Sequence, residues 1–132
     1  MLANSELVLN HDQSIYHLKL RPGQVADTII LVGDPGRVSL VSSFFDQIDH
    51  RVENREFVTH TGILKGKRIS VVSTGIGTDN VDIVVNELDA LFNIDFTNRK
   101  LRASHTSLKF IRIGTSGLIH EDIDPGSIIL TT

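Results

Sequence analysis

The 132-residue chain contains no cysteine, which removes disulfide frameworks, zinc–thiolate centres and thiol nucleophiles from consideration. It also lacks a surplus of positive charge: 13 Lys and Arg stand against 16 Asp and Glu, a formal net charge of -3. Proteins that hold nucleic acid without sequence preference need a basic surface to neutralise phosphates, whereas a small anion needs only a few local arginines. No run approaches the roughly 18 apolar residues of a membrane span. Met1-Leu2-Ala3-Asn4-Ser5-Glu6 lacks the basic start and apolar centre of a signal peptide. The expectation is a cytoplasmic protein with neither nucleic acid nor membrane as a partner. His11, His50, His60, His105 and His120 show no metal-ligand spacing. His120-Glu121-Asp122 reads as a solvated loop before the turn Asp124-Pro125-Gly126.

With 40% hydrophobic and 22% charged residues, the composition is that of a globular domain with one core. Thr28-Ile29-Ile30-Leu31-Val32 is an apolar run of strand type that leads directly into Gly33-Asp34-Pro35-Gly36-Arg37. Val38, Val41, Phe44 and Phe45 recur at helical spacing and predict a helix from Arg37 to about Phe45, with Pro35 at its entry. Two alternating strands, Asp49 to Glu56 and Phe57 to Leu64, precede Lys65-Gly66-Lys67, a hairpin turn into a buried strand from Arg68 to Ser73. Ser73 to Asn80 is a second strand-to-helix turn, with Thr78 or Asp79 as the N-cap of the helix that follows. Val81, Val84, Val85, Leu88 and Leu91 form the core stripe of that helix. Asn93 to Ser107 has no clear period and reads as a loop or insertion. Leu108 to Ile113 reads as another buried strand, Ser127 to Thr132 as the start of one more, and the residues before Asp27 as an arm. Alternating strands and helices with ligand-type turns at strand ends imply an α/β sheet whose site lies at the carboxyl ends of the strands.

The Gly33 to Arg37 turn can offer backbone N–H groups and a planar guanidinium to one anion. Arg112-Ile113-Gly114-Thr115-Ser116-Gly117 repeats the logic, adding a hydroxyl pair and glycines that let backbone approach a ligand. Alone, either turn is ordinary turn chemistry and Arg37 a solvated residue. Together, each behind an apolar run, they read as a phosphate site. Gly75-Ile76-Gly77 departs from the dinucleotide fingerprint, because Asn80 fills the third glycine position and no ribose-binding acid follows. A Rossmann cofactor site is rejected.

With Arg55-Glu56-Phe57, the Ser73 to Asn80 turn and Arg112 to Gly117 following Gly33 to Arg37 in order, the chain resembles the nucleoside phosphorylase family, in particular its uridine phosphorylase branch. The resemblance runs from about Ser14 to Thr132. It implies an α/β, mixed-sheet, three-layer fold truncated at its C-terminal half, with residues 1–132 as the N-terminal part of a single domain. It implies phosphorolysis, in which phosphate attacks the ribose anomeric carbon, the base leaves and ribose 1-phosphate forms. Inorganic phosphate is then a co-substrate and no cofactor is needed. In the family, the positions matching Gly33, Arg37, Arg112 and Thr115 bind phosphate within one subunit, and Arg112 and Thr115 take the catalytic roles. The position matching Arg55 reaches the neighbouring subunit's phosphate, and that of His17, in Tyr16-His17-Leu18, the neighbour's ribose. Partners are therefore nucleoside, phosphate and a second copy, in a homodimer that is the unit of a homo-oligomer.

From the residues alone, Arg55 also reads as a solvated cross-strand partner and His17 as a packing or surface residue. Glu56, Ile76 and Asn80 match positions that in some members help hold a monovalent cation, K+, at the dimer interface, although Asn80 stands where a serine is usual. Three arginines favour a phosphorylase over the related nucleosidases, which use water. Purine nucleoside phosphorylase, and a noncatalytic module that binds phosphate or oligomerises, are the alternatives. The base- and ribose-gripping residues belong to the family's second half, so the chain alone is expected to be inactive. It is also expected to self-associate through unpaired backbone at Ser127 to Thr132.

Overall fold

The chain runs β1 (Thr28–Val32), α1 (Gly36–Ser42), β2 (Gln47–Asn54), β3 (Phe57–Leu64), β4 (Lys67–Ser73), α2 (Thr78–Asn93), the two-residue strands β5 (Ile94–Asp95) and β6 (Lys100–Leu101), and β7 (Lys109–Ile113). These elements are those of a computed structural model that describes residues 1–131. Five strands form one mixed sheet in the order β2-β3-β4-β1-β7. β2, β3 and β4 are antiparallel neighbours, whereas β1 is parallel to both β4 and β7. The antiparallel pair β3–β4 closes through Lys65 and Gly66, both at positive φ, the geometry of a two-residue hairpin turn that matches strand twist.

β1 is apolar at successive positions because both of its faces are covered. Ile29 and Leu31 join Phe57, Val72 and the Val84, Leu88 and Leu91 stripe of α2 in one cluster. Ile30 and Val32 join Val58, Val71 and the Val38, Val41 and Phe45 side of α1 in another. The two clusters lie on opposite pleats of the same strands, so the sheet is sandwiched between α1 and α2 in three layers.

Residues before β1 are no arm. Leu18, Leu20 and Val25 are fully buried in the α2-side cluster, and Arg68 donates to the Val25 and Gly23 carbonyls at 3.0 and 2.7 Å. The apolar residues of this stretch are too widely spaced to show a period, yet each is drawn into the core. β2 begins and ends two residues before the expected strand, because Arg55 takes a left-handed φ of 56 and turns the chain with Glu56. α1 stops at Ser42, so Phe45 packs from beyond the helix and Phe44 stays 75% exposed. α2 is capped by Gly77 with no side-chain cap bond, not by Thr78 or Asp79.

The segment expected as a loop holds the β5–β6 hairpin. Asn93, the last residue of α2, secures it by donating to the Thr106 carbonyl at 3.1 Å and accepting from the Thr106 N–H at 2.8 Å. β7 is exposed along its whole length rather than buried, since β1 is its one strand neighbour among the described residues and neither helix covers it. Ser127 to Thr131 forms no strand, pairing with nothing among the described residues, and Thr132 lies outside them. The Asp124-Pro125-Gly126 turn is present, with Ser127 N–H donating to the Asp124 carbonyl at 3.1 Å and Gly126 at φ 90.

His60 lies on the α1 side of β3, its Nδ1 2.8 Å from Ser42 Oγ. Burial holds its pKa below the ordinary 6.5, and the positive charge of Arg51, its partner across β2, adds to the effect against an opposing Glu53. The folded ring therefore releases its proton sooner than the unfolded one. Its contribution to stability is present above pH 6.5 and is lost as the pH falls through the lower folded value. Urea midpoints are expected to fall from about pH 8 to about pH 5, and His60→Gln should remove part of that fall. A fall of equal size in the variant would contradict the assignment.

Candidate functional site

Parallel pairing brings three strand ends to one level: Val32 of β1 stands beside Ser73 of β4 and Ile113 of β7. The chain leaves β1 toward α1 on one face and leaves β4 toward α2 on the other. Where neighbouring strands send their loops to opposite faces, a crevice opens at their carboxyl ends. A cavity of about 600 Å³ lies there. Gly33, Asp34, Pro35 and Arg37 line it from the β1–α1 turn, and Arg112, Gly114 and Thr115 from the end of β7. Gly75, Ile76 and Asn80 line it from the β4–α2 turn, with Glu56 reaching in from the β2–β3 turn.

Two glycines stand where side chains of the cavity approach the backbone. A Cβ on Gly114 would run into the Arg112 guanidinium as it lies here, so the bare backbone lets the arginine fold over the strand end. Gly75 has φ 70, and a Cβ on it would meet Asn80 Nδ2 at 2.8 Å and Glu56 Cγ at 2.9 Å.

Both carboxylates of the cavity already have donors. Asp34 Oδ1 accepts from the Gly36 N–H at 2.8 Å, closing a local turn at the start of α1. That N–H, expected to be open to an anion, is thereby occupied. Glu56 Oε1 accepts from the Asn80 amide at 3.1 Å, and the same amide donates to the Ile76 carbonyl at 3.2 Å. By contrast, the Arg37 and Arg112 guanidinium groups form no ion pair among the described residues. Four residues singled out in the sequence, Gly33, Arg37, Arg112 and Thr115, thus share one cavity that holds two uncommitted cations.

Arg55 and His17 are not in that cavity. Arg55 sits in the β2–β3 turn rather than in a strand, its guanidinium 5.9 Å from the centre of the Tyr16 ring. The Tyr16 ring in turn meets His17 edge-on at 4.8 Å. The two residues therefore share one patch of surface. His17 is held there by partners absent from the sequence reading: Glu87 of α2 at 2.7 Å from Nδ1, and Asn54, which donates to the His17 carbonyl at 2.7 Å. Glu87 could have been found, since Val84, Glu87, Leu88 and Leu91 follow the i, i+3, i+4, i+7 pattern and a carboxylate in a core stripe requires donors.

The chain is 39% identical over 115 residues to a uridine phosphorylase of Thermococcus kodakarensis, covering 87% of this chain and 36% of the relative. It is 34% identical over 115 residues to a DeoD-type purine nucleoside phosphorylase of Exiguobacterium, covering 86% and 43% respectively. Its structure superposes on a nucleoside phosphorylase from Trypanosoma brucei that shows uridine phosphorylase activity, with a TM-score of 0.82 at 36% identity, covering 90% of this chain and 41% of that one. The chain thus spans well under half the length of these relatives. Residues 27–132 match the model of the Phosphorylase superfamily, and the chain belongs to that superfamily.

Proposed function

We propose that this chain supplies the phosphate-binding side of a nucleoside phosphorylase site of the uridine phosphorylase type, with Gly33, Arg37, Arg112 and Thr115 as the phosphate ligands. The observation that carries this reading is the pair of unpaired guanidiniums, from turns 75 residues apart, lining one cavity. Neither guanidinium is ion-paired with Asp34 or Glu56, the carboxylates of the same cavity, and a phosphate dianion would give both a partner that matches the planar guanidinium fork. Gly33 contributes close backbone and Thr115 a hydroxyl donor.

Such an anion suits phosphorolysis. As the bond from ribose to base lengthens, positive charge gathers at the anomeric carbon, and a phosphate held in line both stabilises that charge and supplies the attacking oxygen. The electron pair of the broken bond leaves with the base. Uridine is the preferred nucleoside because uridine phosphorylase is the stated activity of relatives on both the sequence and the structure side; the purine enzymes among the relatives carry the alternative base.

A monovalent cation at Glu56, Ile76 and Asn80 would have to displace the Asn80 amide. That amide donates to Glu56 Oε1 and to the Ile76 carbonyl and would compete with the ion for both, and no step of the reaction is assigned to a cation. Arg55 and His17, clustered outside the cavity, are read as acting on the neighbouring subunit of a homodimer, whose two-fold symmetry carries each pair to its partner's site. No described helix is long and apolar enough to cross a membrane, and the cytoplasm is the proposed location.

Phosphate should raise the unfolding midpoint of the chain, and Arg112→Ala should lower phosphate affinity by about 10- to 100-fold, the weight of a charged hydrogen bond. Calorimetric titration that finds equal affinity in the two proteins would refute the site. For subunit sharing, Arg55→Ala and Arg37→Ala chains each bind phosphate poorly. Mixed in equal amounts they should recover about a quarter of the wild-type sites, since half of randomly paired dimers are mixed and each holds one intact site of two. Mixed dimers without recovery would exclude sharing. Finally, purified chain ending at Thr132 should not consume uridine in the presence of phosphate, and turnover of about 1 per second or more would overturn that expectation.

A further inference from the structure

Glu87 is one of the few ionisable groups set into the apolar stripe of α2, between fully buried Val84 and Leu88, and its side chain is only 13% exposed. Such a carboxylate is tolerable only if its oxygens are filled. They are, and every donor comes from one short stretch. The His17 N–H lies 3.0 Å from Oε1 and 3.1 Å from Oε2, the Leu18 N–H donates to Oε2 at 2.8 Å, and His17 Nδ1 lies 2.7 Å from Oε1.

This arrangement decides the state of the imidazole. A carboxylate has only acceptors to offer, so the proton of the pair resides on Nδ1, and in the neutral ring Nε2 is left with a lone pair. An unconstrained imidazole distributes its proton over both nitrogens. The ring is also aimed. Asn54 fixes the backbone at the His17 carbonyl, Tyr16 meets the ring edge-on at 4.8 Å and 86°, and Phe57 at 6.4 Å and 78°. His17 remains 29% exposed, and Nε2 has no hydrogen-bond partner among the described residues.

We propose that Glu87 is the positioning residue for His17: it places the proton on Nδ1 and aims the ring, so that Nε2 is a fixed acceptor for a hydroxyl of the nucleoside sugar. The identity of that hydroxyl donor rests on the phosphorylase reading above; the placement of the proton does not. The same geometry makes one substitution specific. In Glu87→Gln the amide oxygen can take the place of Oε2 and keep the Leu18 and His17 N–H bonds, while the NH₂ takes the place of Oε1 and becomes a donor toward Nδ1. The Oε1 branch of the His17 N–H is given up, and the Nδ1 contact survives beside the Oε2 bonds only if the ring moves its proton to Nε2. The variant therefore keeps the fold and inverts the tautomer, converting the outward nitrogen from acceptor to donor.

Long-range proton–nitrogen correlation spectra of the chain with labelled histidine, recorded where imidazole is neutral at about pH 8, read the tautomer directly. The expected result is an Nδ1–H form of His17 in the wild type and an Nε2–H form in Glu87→Gln. A wild-type ring protonated at Nε2 overturns the proposal without recourse to any variant, as does a tautomer that Glu87→Gln leaves unchanged in a folded protein. Ribose 1-phosphate, which brings sugar hydroxyls on the phosphate the cavity is proposed to hold, should then shift the wild-type Nε2 resonance, with about tenfold weaker affinity in the variant. A response of the Gly114 and Thr115 amides with Nε2 unmoved would remove the hydroxyl role while leaving the phosphate site intact. Amides that ignore phosphate would instead refute the parent reading, with the tautomer still deciding the positioning role.

Discussion

The parallel register of β1 with β4 on one side and β7 on the other is the constraint on which the rest of the molecule depends. It levels three strand ends, and the departure of α1 and α2 to opposite faces parts the loops above them. A β1 covered on one face alone would need polar residues at every second position and would allow a helix on one side only. The unbroken apolar run Ile29 to Val32 is therefore the feature that makes a crevice, and not merely a core, possible. The cavity has no element of its own. It borrows rigidity from the strands behind it.

Within the crevice the balance of charge is local. Asp34 and Glu56 line the cavity with the two arginines but form no ion pair with them: Asp34 accepts from the Gly36 N–H and Glu56 from the Asn80 amide, and both guanidiniums are without an ion-pair partner among the described residues. The missing Cβ of Gly114 lets the Arg112 guanidinium lie over the strand end. The free guanidiniums and the steric room beside Gly114 are what support the reading of an external anion, although no single residue would indicate it.

What the sequence discloses and what it hides divide along the range of the interactions involved. β3, β4, the Lys65-Gly66 turn and the stripe of α2 are legible because each is fixed by residues within a few positions of one another. The residues of the cavity are legible because glycine and arginine at strand ends have few other reasons to recur. The burial of Leu18, Leu20 and Val25 is set by α2 and the sheet rather than by a local period, and so the segment reads as an arm. The exposure of β7 is equally illegible, since an apolar strand looks the same in sequence whether or not a layer covers it. Arg55 reads as strand because nothing adjacent signals that a non-glycine residue will adopt a left-handed φ.

The β2–β3 turn carries a further consequence. Arg55 and Glu56 are consecutive, yet one lies against Tyr16 on the outer surface and the other lines the cavity beside Asn80. A rotation of that two-residue turn cannot change one environment without changing the other. A substitution that reset the backbone of this turn would therefore disturb the Tyr16 patch and the cavity wall together.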